Sequence, residues 1–277
     1  MTGSVFRSDV LAGRVAFITG GSSGINKAIA RRYVEHGARV VLVARDPAKL
    51  DSAAAELGAV AAGSAAGFAA DVRDLAAVEA AARAGSERFG HYDVVIAGAA
   101  GNFPAPAARL SSNGFAAVVD IDLKGTFHTF RACHPWLNPG ARLIAISAPQ
   151  AQVPMEYQAA ACSAKAGIEM LVRTLALEWG GLEGARVNAL SPGLVAGTYG
   201  AEIFLRHAGE IAMVGAQPVP RLATLEEVAD AAVFLASPLG DYITGHVLAV
   251  DGGLSLASAT GLAFRKAIEA AAAARPA

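Results

Sequence analysis

The sequence predicts one α/β domain, a doubly wound, seven-stranded parallel sheet with helices on both faces. Three observations carry this. Seven short apolar runs recur along the chain, longer helix-like stretches separate them, and the runs are continuous rather than alternating. Alternating strand and helix signals build a parallel sheet, and continuous apolar runs suit strands buried on both sides. The runs read RVAFIT (14–19), ARVVLVA (38–44), GFAADV (67–72), DVVIAG (93–98), ARLIAIS (141–147), ARVNALS (185–191) and HVLAVDG (246–252). No Pro/Ser-rich linker divides the chain, so 1–277 reads as a single domain.

The first run leads into Thr19-Gly20-Gly21-Ser22-Ser23-Gly24-Ile25-Asn26 and then the helical stretch KAIARRYVEHG. A strand, a Gly-rich turn and a helix N-terminus form an anion site. Glycine lets the backbone approach a pyrophosphate, and the unpaired N–H groups and the helix dipole favour negative charge. The alternative is a tight turn that holds no ligand, but the first strand–helix junction is the context a dinucleotide site requires. This is the Rossmann-type arrangement.

The second run ends Val43-Ala44-Arg45-Asp46, with Arg45 falling 25 residues after Gly20. An Arg there accommodates a 2′-phosphate, whereas an acid binds the ribose 2′-hydroxyl. Asp46 suits an N-cap for the helix PAKLDSAAAEL, with Pro47 at its first position. NADPH is therefore favoured over NADH.

The small-residue tract 55–70 ends that helix and enters the third strand. Two longer stretches, roughly 110–137 and 157–180, read as long helices, and the second carries Lys165. The Ala-rich segment 264–276 predicts a final helix, because Ala is the best helix former.

Composition sets further bounds. The chain is 54% hydrophobic and 17% charged with a formal net charge of −1, which excludes disorder and argues against nucleic acid or an anionic membrane as partner. Cys133 and Cys162 form no CxxC pair and read as buried thiols. The histidines show no HxxxH or HExxH spacing, so no metal is expected. No apolar run is long enough to span a membrane, and the first residues lack a signal-peptide core. Cytoplasm is the expected compartment.

These residues resemble the short-chain dehydrogenase/reductase superfamily over nearly the whole chain. TGGSSGI (19–25) looks like its cofactor turn, with Asn26 where its last Gly is usual. Asp71-Val72 looks like the adenine-contacting pair, and Ser191-Pro192-Gly193 like the nicotinamide-side turn. AGAAGN (97–102) resembles the segment after the fourth strand, with Ala97 and Gly98 replacing two asparagines, and Asp251-Gly252-Gly253 resembles the terminal strand motif. The resemblance implies cofactor contacts from Gly20, Ser22, Ser23, Gly24, Ile25, Arg45, Asp71, Val72, Ala99, Ala100, Gly101, Lys165, Pro192 and Gly193.

The catalytic pattern departs from that superfamily, which places a Tyr four residues before its Lys. A Tyr and Lys at that spacing share one helix face, and the Lys lowers the phenol pKa for proton exchange with a substrate oxygen. Lys165 fits, but Ala161 stands at the Tyr place, Ala148 at the Ser place and Asp122 at the Asn place. A phenol is less needed when hydride goes to carbon and the last proton also goes to carbon.

One branch combines these departures. The 2,4-dienoyl-CoA reductases, particularly the peroxisomal type, are similar through FRSDVLAGRVAFITGG (6–21), AAGNF (99–103), VVDIDLKGTF (118–127), CSAKAG (162–167), LALEWG (175–180) and SPGLVAGTYG (191–200). The resemblance implies NADPH-dependent reduction of a conjugated acyl-CoA thioester in fatty acid metabolism. Asp122 would hold a water that protonates the α carbon, and Lys165 would anchor the nicotinamide ribose. It also implies a homotetramer, with the two long helices pairing with their copies.

Bland alternatives stand beside these roles. Asp122 could cap the helix that follows it. Ser147 could orient a substrate carbonyl or merely end a strand. Tyr157, eight residues before Lys165 and about two helical turns away, is the rival catalytic group. Segment 195–217 lies where the superfamily keeps its substrate lid, and its apolar residues suit an acyl chain or a plain cap. A 3-oxoacyl or other carbonyl reductase, another enoyl thioester reductase and an inactive NADP-binding scaffold remain the alternative functions.

Overall fold

The apolar runs do become strands, all seven of them in one parallel sheet. In chain order they are β1 (Val15–Thr19), β2 (Arg39–Ala44), β3 (Ala65–Ala69), β4 (Tyr92–Ala97), β5 (Leu137–Ile146), β6 (Arg186–Pro192) and β7 (Val247–Val250). The computed structural model describes residues 5–208, 214–215 and 217–257. The sheet order is β3-β2-β1-β4-β5-β6-β7. The order reverses between β1 and β4, and ligands of open α/β sheets bind beyond the strand ends at such a point.

Every residue of β1 and β4 is buried, which is why neither strand alternates in sequence. Side chains still take opposite faces in turn. Ala16, Ile18, Val40, Leu42, Val94 and Ile96 point into one core layer. Val15, Phe17, Val41, Val43 and Val95 point into the other.

The first layer is covered by α1 (Gly24–Glu35), α2 (Pro47–Gly58) and α8 (Leu225–Ala236). Tyr33 of α1 donates its buried hydroxyl to the carbonyl of Ala232 in α8, at 3.1 Å. The second layer is covered by α3 (Leu75–Phe89), α5 (Gly125–Cys133) and α6 (Ala159–Glu183). The caps follow sequence chemistry. Asp46 accepts from the Lys49 N–H ahead of Pro47, and Asp74 accepts from Ala77 N–H. Thr224 and Glu227 cap α8 reciprocally.

Four expectations are corrected. The third strand starts two residues earlier than its apolar signal and ends at Ala69 rather than 72, its end set by a turn at residues 71–74 in which Asp71 accepts from the Arg73 N–H. The stretch 110–137 is not one helix. It divides into α4 (Ser112–Val119), a π-helical turn (Asp120–Lys124), α5 and a 3-10 turn at His134–Trp136. Asp122 therefore caps nothing, since the chain is already helical before it. Cys162 is only half-buried, whereas Cys133 is buried and its thiol pKa pushed well up by burial.

The lid segment opens with a helix, α7 (Tyr199–Ala208), while 209–213 and 216 lie outside the described residues. The expected final helix over 264–276 also lies outside them.

Candidate active site

β1 delivers the chain to Gly20, which turns with φ +71°. A side chain there would lie 2.8 Å from Asn26 Nδ2 and 3.1 Å from Ala99 Cα, so only glycine fits this floor. Ser23 precedes α1 in extended conformation and makes no side-chain cap bond. Among the described residues, then, the Ser23 side chain does not cap the opening amides of α1, an end of a helix suited to an anion.

Beyond the strand ends lies a crevice of about 1000 Å³. Gly20, Ser22, Ser23, Gly24 and Ile25 line its phosphate side; Arg45, Asp71 and Val72 line one end; Ala99, Ala100 and Gly101 line the wall after β4. All eleven were expected from sequence. The volume, the glycine floor and the helix start that its N-cap side chain leaves uncapped fit a dinucleotide.

Asp46 spends a carboxylate oxygen on the Lys49 N–H, leaving Arg45 as the group that directly follows β2 at the crevice rim. Lys49 also lines this rim. Arg73 grips both Asp71 oxygens, with contacts down to 2.6 Å, and these hydrogen bonds hold the Asp71 carboxyl below its usual range. Asp71 stays an acceptor, as an exocyclic amine of a base requires. His128 Nδ1 lies 2.8 Å from the Val72 carbonyl and fixes that residue.

The far wall carries the charged pair. Asp122, 1% exposed, accepts from the Gly101 N–H at 2.8 Å through Oδ1. Its Oδ2 lies 3.2 Å from Lys165 Nζ. Lys165, 8% exposed, also donates to the Ile146 carbonyl at 3.0 Å. Gly101 and Ile146 both line the crevice, so the pair sits directly behind its wall. The π turn makes this possible. Its extra residue turns Asp122 inward from the middle of a helix, a device common at functional sites. Ala161, one turn before Lys165, is buried and offers no polar atom.

Ser147 is buried, donates its hydroxyl to Glu169 Oε1 at 3.0 Å and does not line the crevice. Tyr157 precedes α6 rather than sharing the Lys165 face, so the two-turn premise for it fails. Its backbone is left-handed, with φ 62°, and its side chain is more than half exposed. Pro192 ends β6 beside Val250, and Gly193 donates its N–H to the Val250 carbonyl at 3.0 Å.

The sequence reading missed Glu169. It is 3% exposed and holds Ser147, Gln152 at 3.2 Å and Arg173 at 3.5 Å. Its signal was present: it follows Lys165 by four residues, on the same helical face. The roles of Asn26 and Lys49 were also missed.

A family description for enoyl-(acyl carrier protein) reductases matches residues 20–255. The peroxisomal 2,4-dienoyl-CoA reductase of Rattus norvegicus, a (3E)-enoyl-CoA-producing enzyme, is 40% identical over 90% of this chain and 86% of its own. The corresponding protein of Saccharomyces cerevisiae is 36% identical over 92% and 88%. A probable (2E)-enoyl-CoA-producing 2,4-dienoyl-CoA reductase of Bacillus subtilis is 36% identical over 87% and 96%. Among solved structures, a short-chain dehydrogenase from Bacillus anthracis superposes with TM-score 0.78 at 34% identity, covering 88% of this chain and 97% of that one.

Proposed function

The chain belongs to the short-chain dehydrogenase/reductase family, and from that premise we propose that it is an NADPH-dependent reductase of conjugated acyl-CoA thioesters. The observation that carries this reading is the buried Asp122–Lys165 pair behind the crevice wall, 3.2 Å apart, with Ala161 where a phenol would stand. Relatives named as 2,4-dienoyl-CoA reductases support the substrate class.

Gly20, the α1 amides and Arg45 would hold NADPH, with Arg45 and Lys49 as cations toward its 2′-phosphate. Bound there, NADPH supplies hydride for the far end of the diene. The electrons of the diene then move onto the thioester oxygen as a dienolate. Asp122 accepts hydrogen bonds and positions a water at the α carbon. That water gives its proton to carbon and is reprotonated from solvent. Lys165 steadies Asp122 through their ion pair and favours the negative dienolate. Nothing in these steps needs a phenolic proton on oxygen.

The apolar side chains of α4, α5 and α6 favour assembly. Phe115, Phe127, Met170 and Leu177 are all exposed there, and Leu177 is 83% exposed. Such a patch is costly in water, and a homotetramer would cover it.

The test follows NADPH absorbance with 2,4-hexadienoyl-CoA and acetoacetyl-CoA in parallel. Oxidation with the dienoyl thioester alone is the expected result. Oxidation with the ketone alone would return the chemistry to oxygen and defeat the proposal.

A further inference from the structure

We infer that Asn26 is a positioning residue that fixes the dinucleotide crevice by clamping Gly98, an inference that rests on reading the crevice as a cofactor site. Asn26 lies in the first turn of α1 and is 8% exposed. Its Nδ2 donates to the Gly98 carbonyl at 2.7 Å. On the other side, the Gly98 N–H donates to Thr19 Oγ1 at 3.2 Å. Both polar backbone groups of Gly98 are thus held by side chains, one from each end of the phosphate turn. The end of β4 and the start of α1 are the two walls between which a pyrophosphate would sit.

The glycines around Asn26 show that its amide occupies a fixed place. A Cβ on Gly98 would overlap Asn26 Oδ1 and lie 2.5 Å from its Cγ. A Cβ on Gly20 would lie 2.8 Å from its Nδ2. Sequence pattern agrees: the superfamily this chain resembles has glycine at the place of Asn26 and asparagine at the place of Gly98. The two residues are exchanged here, so the amide reaches the junction from the helix rather than from the strand.

Asn26 Oδ1 gains nothing from the arrangement. It is buried and has no hydrogen-bond partner among the described residues. An orphaned buried acceptor destabilises a fold. The side chain therefore earns its place through Nδ2, and Leu, of similar size, separates the two possibilities. Leu removes the orphan but leaves the Gly98 carbonyl unpaired. A role in stability alone predicts unchanged cofactor binding in Asn26→Leu. A clamp predicts looser walls and weaker binding.

The experiment uses the full chain with Asn26→Leu, Asn26→Gly and the exchanged double variant Asn26→Gly/Gly98→Asn. Deuterium uptake over residues 97–102 is read without cofactor, and dissociation constants for NADPH and NADH are read by fluorescence titration. The expected result is faster uptake in both single variants and binding of the preferred nucleotide about tenfold weaker, the scale of one buried hydrogen bond. The double variant, which restores the amide from the strand side, recovers most of that loss. Should one single variant fail to fold, the other and the double variant carry the comparison. Parent-like affinity in the single variants, or a loss that the double variant does not recover, overturns the clamp while leaving the crevice reading intact. A parent protein that binds neither nucleotide overturns both.

Discussion

Asp122 and Lys165 come from different helical segments, yet their charged groups meet 3.2 Å apart with almost no exposure to solvent. Each is also tied to a backbone group of the crevice wall, Asp122 to Gly101 and Lys165 to Ile146. Asp122→Ala therefore leaves Lys165 with one partner and a water with no carboxylate to hold it. Steady-state turnover of 2,4-hexadienoyl-CoA is expected to fall about 10²-fold or more, the scale of a lost acid–base group. Asp122→Asn keeps the acceptor for Gly101 and removes the charge, so it should fold like the parent and still lose turnover. Parent-like turnover in both variants would remove Asp122 from the mechanism.

Arg45 follows β2 at the crevice rim, and Asp46 beside it is committed to the α2 cap. Arg45→Ala should raise the KM for NADPH about 10- to 100-fold, the range of a charge-assisted hydrogen bond, and leave that for NADH nearly unchanged. Equal changes for both nucleotides would place Arg45 away from the 2′-phosphate.

Glu169 holds Ser147 and Gln152 from inside the fold, just behind the strand end that Lys165 grips. Glu169→Ala leaves the buried Ser147 hydroxyl without this acceptor, while the exposed Gln152 can turn to solvent, and is expected to cost about 1–3 kcal/mol of stability. Glu169→Gln keeps an acceptor oxygen for Ser147 and should recover most of it. Urea unfolding of the two variants makes the comparison, and equal loss would point to charge rather than hydrogen bonding.

Acid sensitivity should include a component from the start of α8. Hydrogen bonding to Arg221, followed by the Thr224 backbone N–H, lowers the Glu227 pKa from 4.5 to about 2. The folded state then binds fewer protons than the unfolded state between those values. Stability from Glu227 is full above about pH 4.5 and is lost as pH falls toward about 2. Glu227→Gln should flatten this part of the urea midpoint's pH dependence. An unchanged slope in that window would contradict the assignment.

The sheet was legible because buried parallel strands leave continuous apolar runs, as at Phe17 and Val95. The third strand was less so, since Ala65 and Ala66 look the same in a helix, a loop or a strand. The π turn left no periodicity to read. The direction of Asp122 depends on one extra residue in a helix, which spacing rules do not register. Ile25 and Arg45 could be placed because the phosphate turn and the end of β2 are local. Glu169 shares a helical face with Lys165, which spacing does show, but its partners Ser147 and Gln152 lie on other elements, which spacing does not. The rival place of Tyr157, two turns before Lys165, presumed a helix that begins only at Ala159.

In the proposed reaction the last proton reaches carbon through a water held by Asp122. The most direct measurement runs 2,4-hexadienoyl-CoA reduction in deuterium oxide and locates the label by mass spectrometry and NMR. One solvent deuteron at the α carbon of a 3-enoyl product is expected, with that product diminished in Asp122→Asn. Solvent label at the γ carbon of a 2-enoyl product would contradict it, as would failure to reduce the diene at all.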